Sequence, residues 1–282
     1  MKTSTEALIA QLQRDPLRHI TPLKMHALYG DALRVLPVGV TQHSRGAQAV
    51  LLIAPRAISQ YDQANYANVE WVVMPALPAD ADGDLVDAVI EQILAATGGA
   101  SFVVKTIDAS VIEVLRSRLC SRRTPQYRRA LCTFGWAGSS PPDPRAALVS
   151  TSPTLPVNAL ALLQAHGVYS AAELGTLFAD GSARCHVRLS ALGADKDDAV
   201  GVLLTFPNTP VIHEIGSLHV RADARRSGHA RALLVAALAD LYARGLTARY
   251  VVDATNAPSI ALAEAVGLRE QFRLAHWVIA PD

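Results

Sequence analysis

A chain of 282 residues, half of them hydrophobic, has enough apolar material for two domains of ordinary size, each with its own core. Lys and Arg total 26 against 25 Asp and Glu, a balance that argues against a general nucleic-acid or membrane-surface binder, which carries a basic excess. Asp or Arg breaks every apolar run short of the roughly 20 residues of a membrane helix. Cys120, Cys132 and Cys185 form neither an even disulfide set nor a metal-ligand spacing, so the expectation is a cytoplasmic protein with buried thiols and no metal.

The segment from Met1 to Arg14 has helical spacing, with Thr3 and Glu6 as a capping box, and lacks the basic-then-apolar pattern of a secretory leader. Helices are expected at 5–14 and 17–29, followed by strands at 34–41, 47–54 and 69–73. A helix at 85–96, a strand at 101–105, a helix at 110–119 and a strand at 127–134 complete the first half. Pro and Ser then accumulate over 135–156, a composition that sustains neither helix nor sheet. The boundary is placed there, giving a domain over 1–138, a linker over 139–156 and a second domain over 157–282.

The second half runs in nearly the same order as the first. Helices are expected at 157–166 and 170–178, the latter opened by Ser170 and Glu173, with strands at 183–189, 200–206 and 211–220. A helix at 231–241, a strand at 249–253, a helix at 259–266 between Asn256 and Gly267, and a strand at 272–279 follow.

The junction between strand 211–220 and the next helix reads Arg225-Arg226-Ser227-Gly228-His229-Ala230-Arg231. The first turn of a helix leaves backbone N–H groups without internal partners, and the macrodipole adds positive charge there. A diphosphate fits such a place where Gly228 and Ala230 let the backbone come close and Arg225 and Arg226 add donors. In the first half the corresponding stretch, 74–84, is acidic and lacks Arg-x-x-Gly, so it should repel a diphosphate.

The order strand, Arg-x-x-Gly-x-Ala, helix, strand, Asn-x-x-Ser, helix, Gly-Leu, strand resembles the GNAT superfamily of acyl-CoA-dependent N-acyltransferases. Its flavour is closest to the two-half, glycine N-acyltransferase-like branch, partly for the Asn-Ala-Pro-Ser-Ile segment and partly for the shape of the whole chain. The resemblance implies an α/β (α+β) protein of tandem GNAT-like mixed-sheet domains, the N-terminal half degenerate and the C-terminal half binding acetyl-CoA or coenzyme A as co-substrate. It places the diphosphate on Arg225, Arg226, Ser227, Gly228, His229, Ala230 and Arg231. It sets the pantetheine arm along the backbone of Leu218, His219 and Val220, with Asn256 and Ser259 nearby.

Acyl transfer from a thioester needs a neutral amine, hence a base. By resemblance the candidate is Glu214, whose other reading is a strand-end carboxylate paired with a neighbouring Arg. Strict alternation puts Glu214, Gly216, Leu218 and Val220 on one face and His213, Ile215, Ser217 and His219 on the other. The family's usual acid, a tyrosine seven residues after the Asn, is replaced here by Ala263. His219, His229 and Tyr250 are weaker candidates for chemistry, and Tyr169 and Phe178 are more readily core than substrate contacts. The implied acceptor is a small-molecule amine, with no nucleic acid and no membrane as partner and a homodimer left open. A protein or peptide acetyltransferase and a non-catalytic acyl-CoA-binding regulator are the alternatives.

Overall fold

The computed structural model describes residues 4–39, 48–119, 123–136, 149–166, 170–190 and 198–281. The chain divides into two compact units, one of Met1–Leu131 with Phe272–Asp282 and the other of Cys132–Gln271. The sequence placed the break over 139–156. In the structure the units change hands inside strands: β5 (Gln126–Trp136) starts in the first unit and ends in the second, and β11 (Leu268–Ile279) does the reverse.

The first unit opens with α1 (Thr5–Leu12) and α2 (Ile20–Tyr29), then β1 (Arg34–Gly39), β2 (Gln48–Pro55), the short α3 (Gln60–Asn65) and β3 (Trp71–Ala76). Next come α4 (Gly83–Thr97), β4 (Phe102–Thr106), α5 (Ala109–Arg118) and β5. The N-cap of α1 is Ser4, whose hydroxyl accepts from Ala7, rather than the Thr3 expected from the capping-box spacing. Helix α4 buries Leu85, Val86, Val89, Ile90 and Ile93 at helical spacing, and Gly98 closes it in the left-handed conformation. Its start is stopped by its own carboxylate, Asp82, which accepts from the Leu85 N–H at 2.9 Å. The strands of this unit lie in the order β1-β2-β3-β4-β11-β5, with β3 and β4 parallel and β11 antiparallel to β4. The last strand of the chain therefore completes the first unit's sheet, which no local pattern in the sequence announces.

The second unit contains β6 (Val149–Ser152), α6 (Val157–His166), α7 (Ala171–Phe178), β7 (Arg184–Leu189), β8 (Ala199–Pro207) and β9 (Ile212–Val220). It continues with α8 (His229–Ala243), β10 (Thr247–Asp253) and α9 (Ala257–Ala265). Strand β6 corrects the reading of 135–156 as wholly irregular: Val149-Ser150-Thr151-Ser152 contains no proline and pairs antiparallel with β7. The expected Ser170/Glu173 capping box on α7 is formed on both sides. The order here is β5-β10-β9-β8-β7-β6, mixed because β9 and β10 are parallel while β6 to β9 pair antiparallel in turn. Helices α8 and α9 cover one face, packing Leu233, Leu234, Leu238, Leu241 and Ala263 against Leu203, Ile215 and Tyr250. Helices α6 and α7 cover the other, packing Leu163 and Leu174 against Val202, Leu204 and Phe206. Both described cysteines, Cys132 and Cys185, are buried, and burial pushes the Cys185 thiol up to about 12. No helix among the described residues is long and apolar enough to cross a membrane.

Candidate active site

Strand β9 carries the site, and its geometry departs from regular sheet in two ways. Its parallel ladder with β10 runs from Ile212↔Thr247 to Ile215↔Tyr250 and stops there, although β9 continues to Val220 and β10 to Asp253. On the opposite edge β9 stays paired with β8 to its end, through a register shift that sets Leu204 opposite Gly216 but Val202 opposite His219. One extra residue is thus accommodated in β9, and Ser217 takes up the strain in the left-handed region at φ 53°. The result is a strand with one edge bound and the other, beyond Ile215, turned away from its parallel neighbour.

The bulge also overturns the strict alternation expected from the sequence. Directly paired residues share a face of a sheet. Glu214 stands opposite Phe206, Gly216 opposite Leu204 and His219 opposite Val202, so these three lie on the α6/α7 face. Ile215, Leu218 and Val220 pack on the α8/α9 side. An extra residue reverses the period-two pattern for everything after it, which moves His219 to the face of Glu214 and Leu218 and Val220 away from it. Gly216 packs closely here: a Cβ would lie 3.2 Å from the Phe206 ring, which would have to shift by a few tenths of an ångström.

From Val220 the chain passes through a tight turn at Ala222–Ala224 into the loop before α8. The Arg221 guanidinium is bound to Asp198 at 2.8 Å and to Asp223 at 2.7 Å, which fixes the base of the loop. Arg225 donates to the Val220 carbonyl at 3.1 Å. Arg226 (φ 62°) and Gly228 (φ 78°) are both left-handed. A Cβ at Gly228 would meet nothing within 4 Å, so the glycine is favoured by its dihedral rather than by crowding. No side chain caps α8, in contrast to Asp82 on α4, and Arg225, Arg226, Ser227 and Gly228 are exposed around its first turn. Uncapped N–H groups, two flanking guanidiniums and left-handed backbone are features that suit an anion. His229, the first residue of α8, accepts at Nδ1 from Arg188 of β7 at 3.3 Å, and Arg231 is exposed in the same first turn.

The carboxylate of Glu214 is held by Arg249 of β10, Nη1 to Oε2 at 2.8 Å, with side-chain exposures of 6 % for the Arg and 18 % for the Glu. Arg249 also donates to Asn208 at 3.0 Å, and burial pushes the guanidinium below its usual range while Glu214 opposes that shift. Neither Arg249 nor Asn208 was singled out from the sequence. A charged residue inside the apolar run Ala248–Val252 was the signal that a buried partner must exist. Asn256 caps α9 by accepting from the Ser259 N–H at 3.2 Å, and Ser259 is hydrogen-bonded with the buried Tyr250 hydroxyl, whose pKa burial raises. Ala263 is fully buried in the core beneath α9, and Phe178 packs with the α6/α7 core. Tyr169 lies outside the described residues.

Residues 159–268 match the acetyltransferase (GNAT) family, a span that holds the splayed strand, the loop and both helices of the α8/α9 face. The chain has the GNAT acetyltransferase fold. A GCN5-related N-acetyltransferase from Sphaerobacter thermophilus is similar over 86 % of this chain and 84 % of its own, at 18 % identity and a TM-score of 0.52. A tandem GNAT protein from the clavulanic acid biosynthesis pathway aligns over 99 % and 96 % at 12 % identity and a TM-score of 0.52. A GNAT-family acetyltransferase from Colwellia psychrerythraea aligns over 99 % and 98 % at 11 % identity and a TM-score of 0.55. At these identities the likeness is one of fold. No curated protein matches the sequence.

Proposed function

We propose that this protein is an N-acyltransferase that takes an acetyl group from acetyl-CoA and gives it to the amine of a small molecule, by direct attack within a ternary complex. One observation carries the reading: a strand that parts from its parallel neighbour after Ile215 and leads straight into an uncapped helix start at Gly228. The diphosphate of the donor suits Arg225 to Arg231, and the edge of β9 from Leu218 to Val220 offers backbone groups to the pantetheine amides as a neighbouring strand would. Bound acetyl-CoA supplies an activated acyl group and a thiolate that leaves readily. The chain's own task is to orient the amine and accept its proton, and Glu214 is the proposed base. The first unit is proposed as a degenerate half without donor, since the Asp82 carboxylate already occupies the start of α4. The glycine N-acyltransferase-like branch belongs to the same reading, supported by the repeated element order and the Asn256-to-Ile260 segment.

A calorimetric titration with acetyl-CoA tests the reading, with one site per chain as the expected result and no binding as the refuting one. A second reading, a non-catalytic acyl-CoA sensor, is favoured by a specific pair of facts: Glu214 is committed to Arg249, and Ala263 stands fully buried where a tyrosine is usual. Release of free thiol from acetyl-CoA in the presence of an amine panel separates the two. Turnover on a peptide amine but on no small amine would move the acceptor class to protein.

A further inference from the structure

We infer that the Ser217 hydroxyl is a catalytic group, donating a hydrogen bond to the thioester sulfur as it leaves. The inference rests on the donor site proposed above and adds the group that takes the place of the absent tyrosine.

Three observations meet at this residue. Ser217 lies two residues beyond the last rung of the β9–β10 ladder, Ile215↔Tyr250, at the point where the two strands part. Its backbone is left-handed at φ 53°, a conformation costly for serine and retained only where the surroundings impose it. Its Oγ is buried and has no hydrogen-bond partner among the described residues. A buried hydroxyl without a partner is destabilising, so a strained residue with an idle donor is a site prepared for something else.

The identity of that partner follows from the direction of the strand. Coenzyme A joins a diphosphate to an extended arm that ends in sulfur. With the diphosphate at Gly228, an arm running back along the free edge of β9 passes Val220, His219 and Leu218 in turn, and its sulfur end comes to Ser217. On the α8/α9 side the position that usually offers a phenol is Ala263, whose buried methyl can donate nothing.

In the step itself the amine nitrogen bonds to the acyl carbon, the carbon–sulfur bond breaks, and its electron pair goes to sulfur. The Ser217 O–H points its hydrogen at that developing charge and keeps its proton, because an alcohol is a far weaker acid than a thiol. The proton of the amine goes to the base and then to solvent, and coenzyme A departs as the thiolate. A hydrogen bond to a charged acceptor is the stronger kind, and here it forms only as the charge appears.

The test needs no acceptor. Free coenzyme A is bound to the wild-type chain and to Ser217→Gly, which keeps the left-handed backbone and removes the hydroxyl, and the thiol of the bound ligand is titrated by its thiolate absorbance. The expected result is that the thiol ionises about one pH unit higher in the variant, a tenfold loss of thiolate preference, with unchanged affinity for acetyl-CoA. Ser217→Ala must give the same shift, which separates loss of the hydroxyl from any change in the bulge. Coincident titrations with coenzyme A bound in all three chains overturn the Ser217 proposal and leave the donor site standing. Absence of binding in the wild type overturns both.

Discussion

Glu214→Gln removes one negative charge from a pair whose guanidinium is almost completely buried, and its effect on stability can be worked out before its effect on turnover. Breaking a buried ion pair by deleting one partner costs about 3–5 kcal/mol when nothing else compensates. Here the glutamine keeps a carbonyl for Arg249 Nη1, the Asn208 oxygen still accepts from the same guanidinium, and the Glu214 side chain is 18 % exposed. The expected cost is therefore about 2 kcal/mol, or a melting-point drop of roughly 4–8 °C for a unit of this size. Arg249→Gln should cost a similar amount, and the double variant should lose clearly less than the two single losses combined, since the second change relieves the charge stranded by the first. Thermal melts of the four proteins give the coupling. A Glu214→Gln chain that melts with the wild type would refute the pair as a structural element. The same set decides the base: Arg249→Gln preserves the carboxylate and should preserve turnover at a temperature where it is folded, whereas Glu214→Gln should abolish turnover and leave acetyl-CoA affinity intact. Equal losses of turnover in both variants would remove Glu214 from the chemistry.

Three further outcomes are expected. Gly228→Ala should cost about 1–2 kcal/mol for the left-handed backbone without any clash, while Gly228→Glu should abolish binding of coenzyme A in calorimetry; tight binding by the latter would sink the diphosphate assignment. His186 and His213 are buried neutral with pKa values lowered from 6.5 to about 4, chiefly by desolvation, so the unfolded chain takes up their protons first as pH falls. Their contribution is intact above pH 6.5 and is lost between 6.5 and 4, worth up to about 3 kcal/mol for His186, which is fully buried between Thr151 and Thr205; melts at pH 7 and pH 5 should show a fall that His186→Gln reduces, and an unchanged fall would count against it. A fragment ending at residue 156 lacks the segment of β11 from Ala275 to Ile279 that pairs with β4, so it should show no cooperative melt; a sharp transition in that fragment would mean that the first unit does not depend on its returned strand.

What the sequence announced and what it concealed divide along a physical line. Elements held by their own residues were readable: α4 by its 3–4 spacing, α7 by Ser170 and Glu173, α9 by Asn256 and Gly267, and the apolar runs of β2, β8 and β10. Elements that depend on distant chain were not. The short α3 has too few residues to show a period, β6 sits in a Pro-rich stretch and owes its pairing to β7, and the return of β11 to the first unit is a matter of partner choice that hydrophobic alternation does not encode. The start of α8 after Gly228 was legible because it rests on a dihedral that glycine adopts easily.

The bulge shows why the catalytic arrangement was the harder part. A register shift of one residue leaves composition and hydropathy untouched, yet it decides which side chains share a face. Read as an unbroken strand, β9 groups Glu214 with Leu218 and Val220, and the site becomes one carboxylate on an apolar edge. With Ser217 inserted, Glu214 and His219 share the α6/α7 face, while Leu218 and Val220 join the core under α8 and hold the free backbone edge in place. The same insertion puts a hydroxyl where the two parallel strands separate. The strain at Ser217 and the splay after Ile215 thus meet at a single local irregularity. On the proposed reading, in which the donor's arm lies along β9 as an extra strand would, the sheet has to open at one edge without losing the other, and an added residue on the opening strand achieves both.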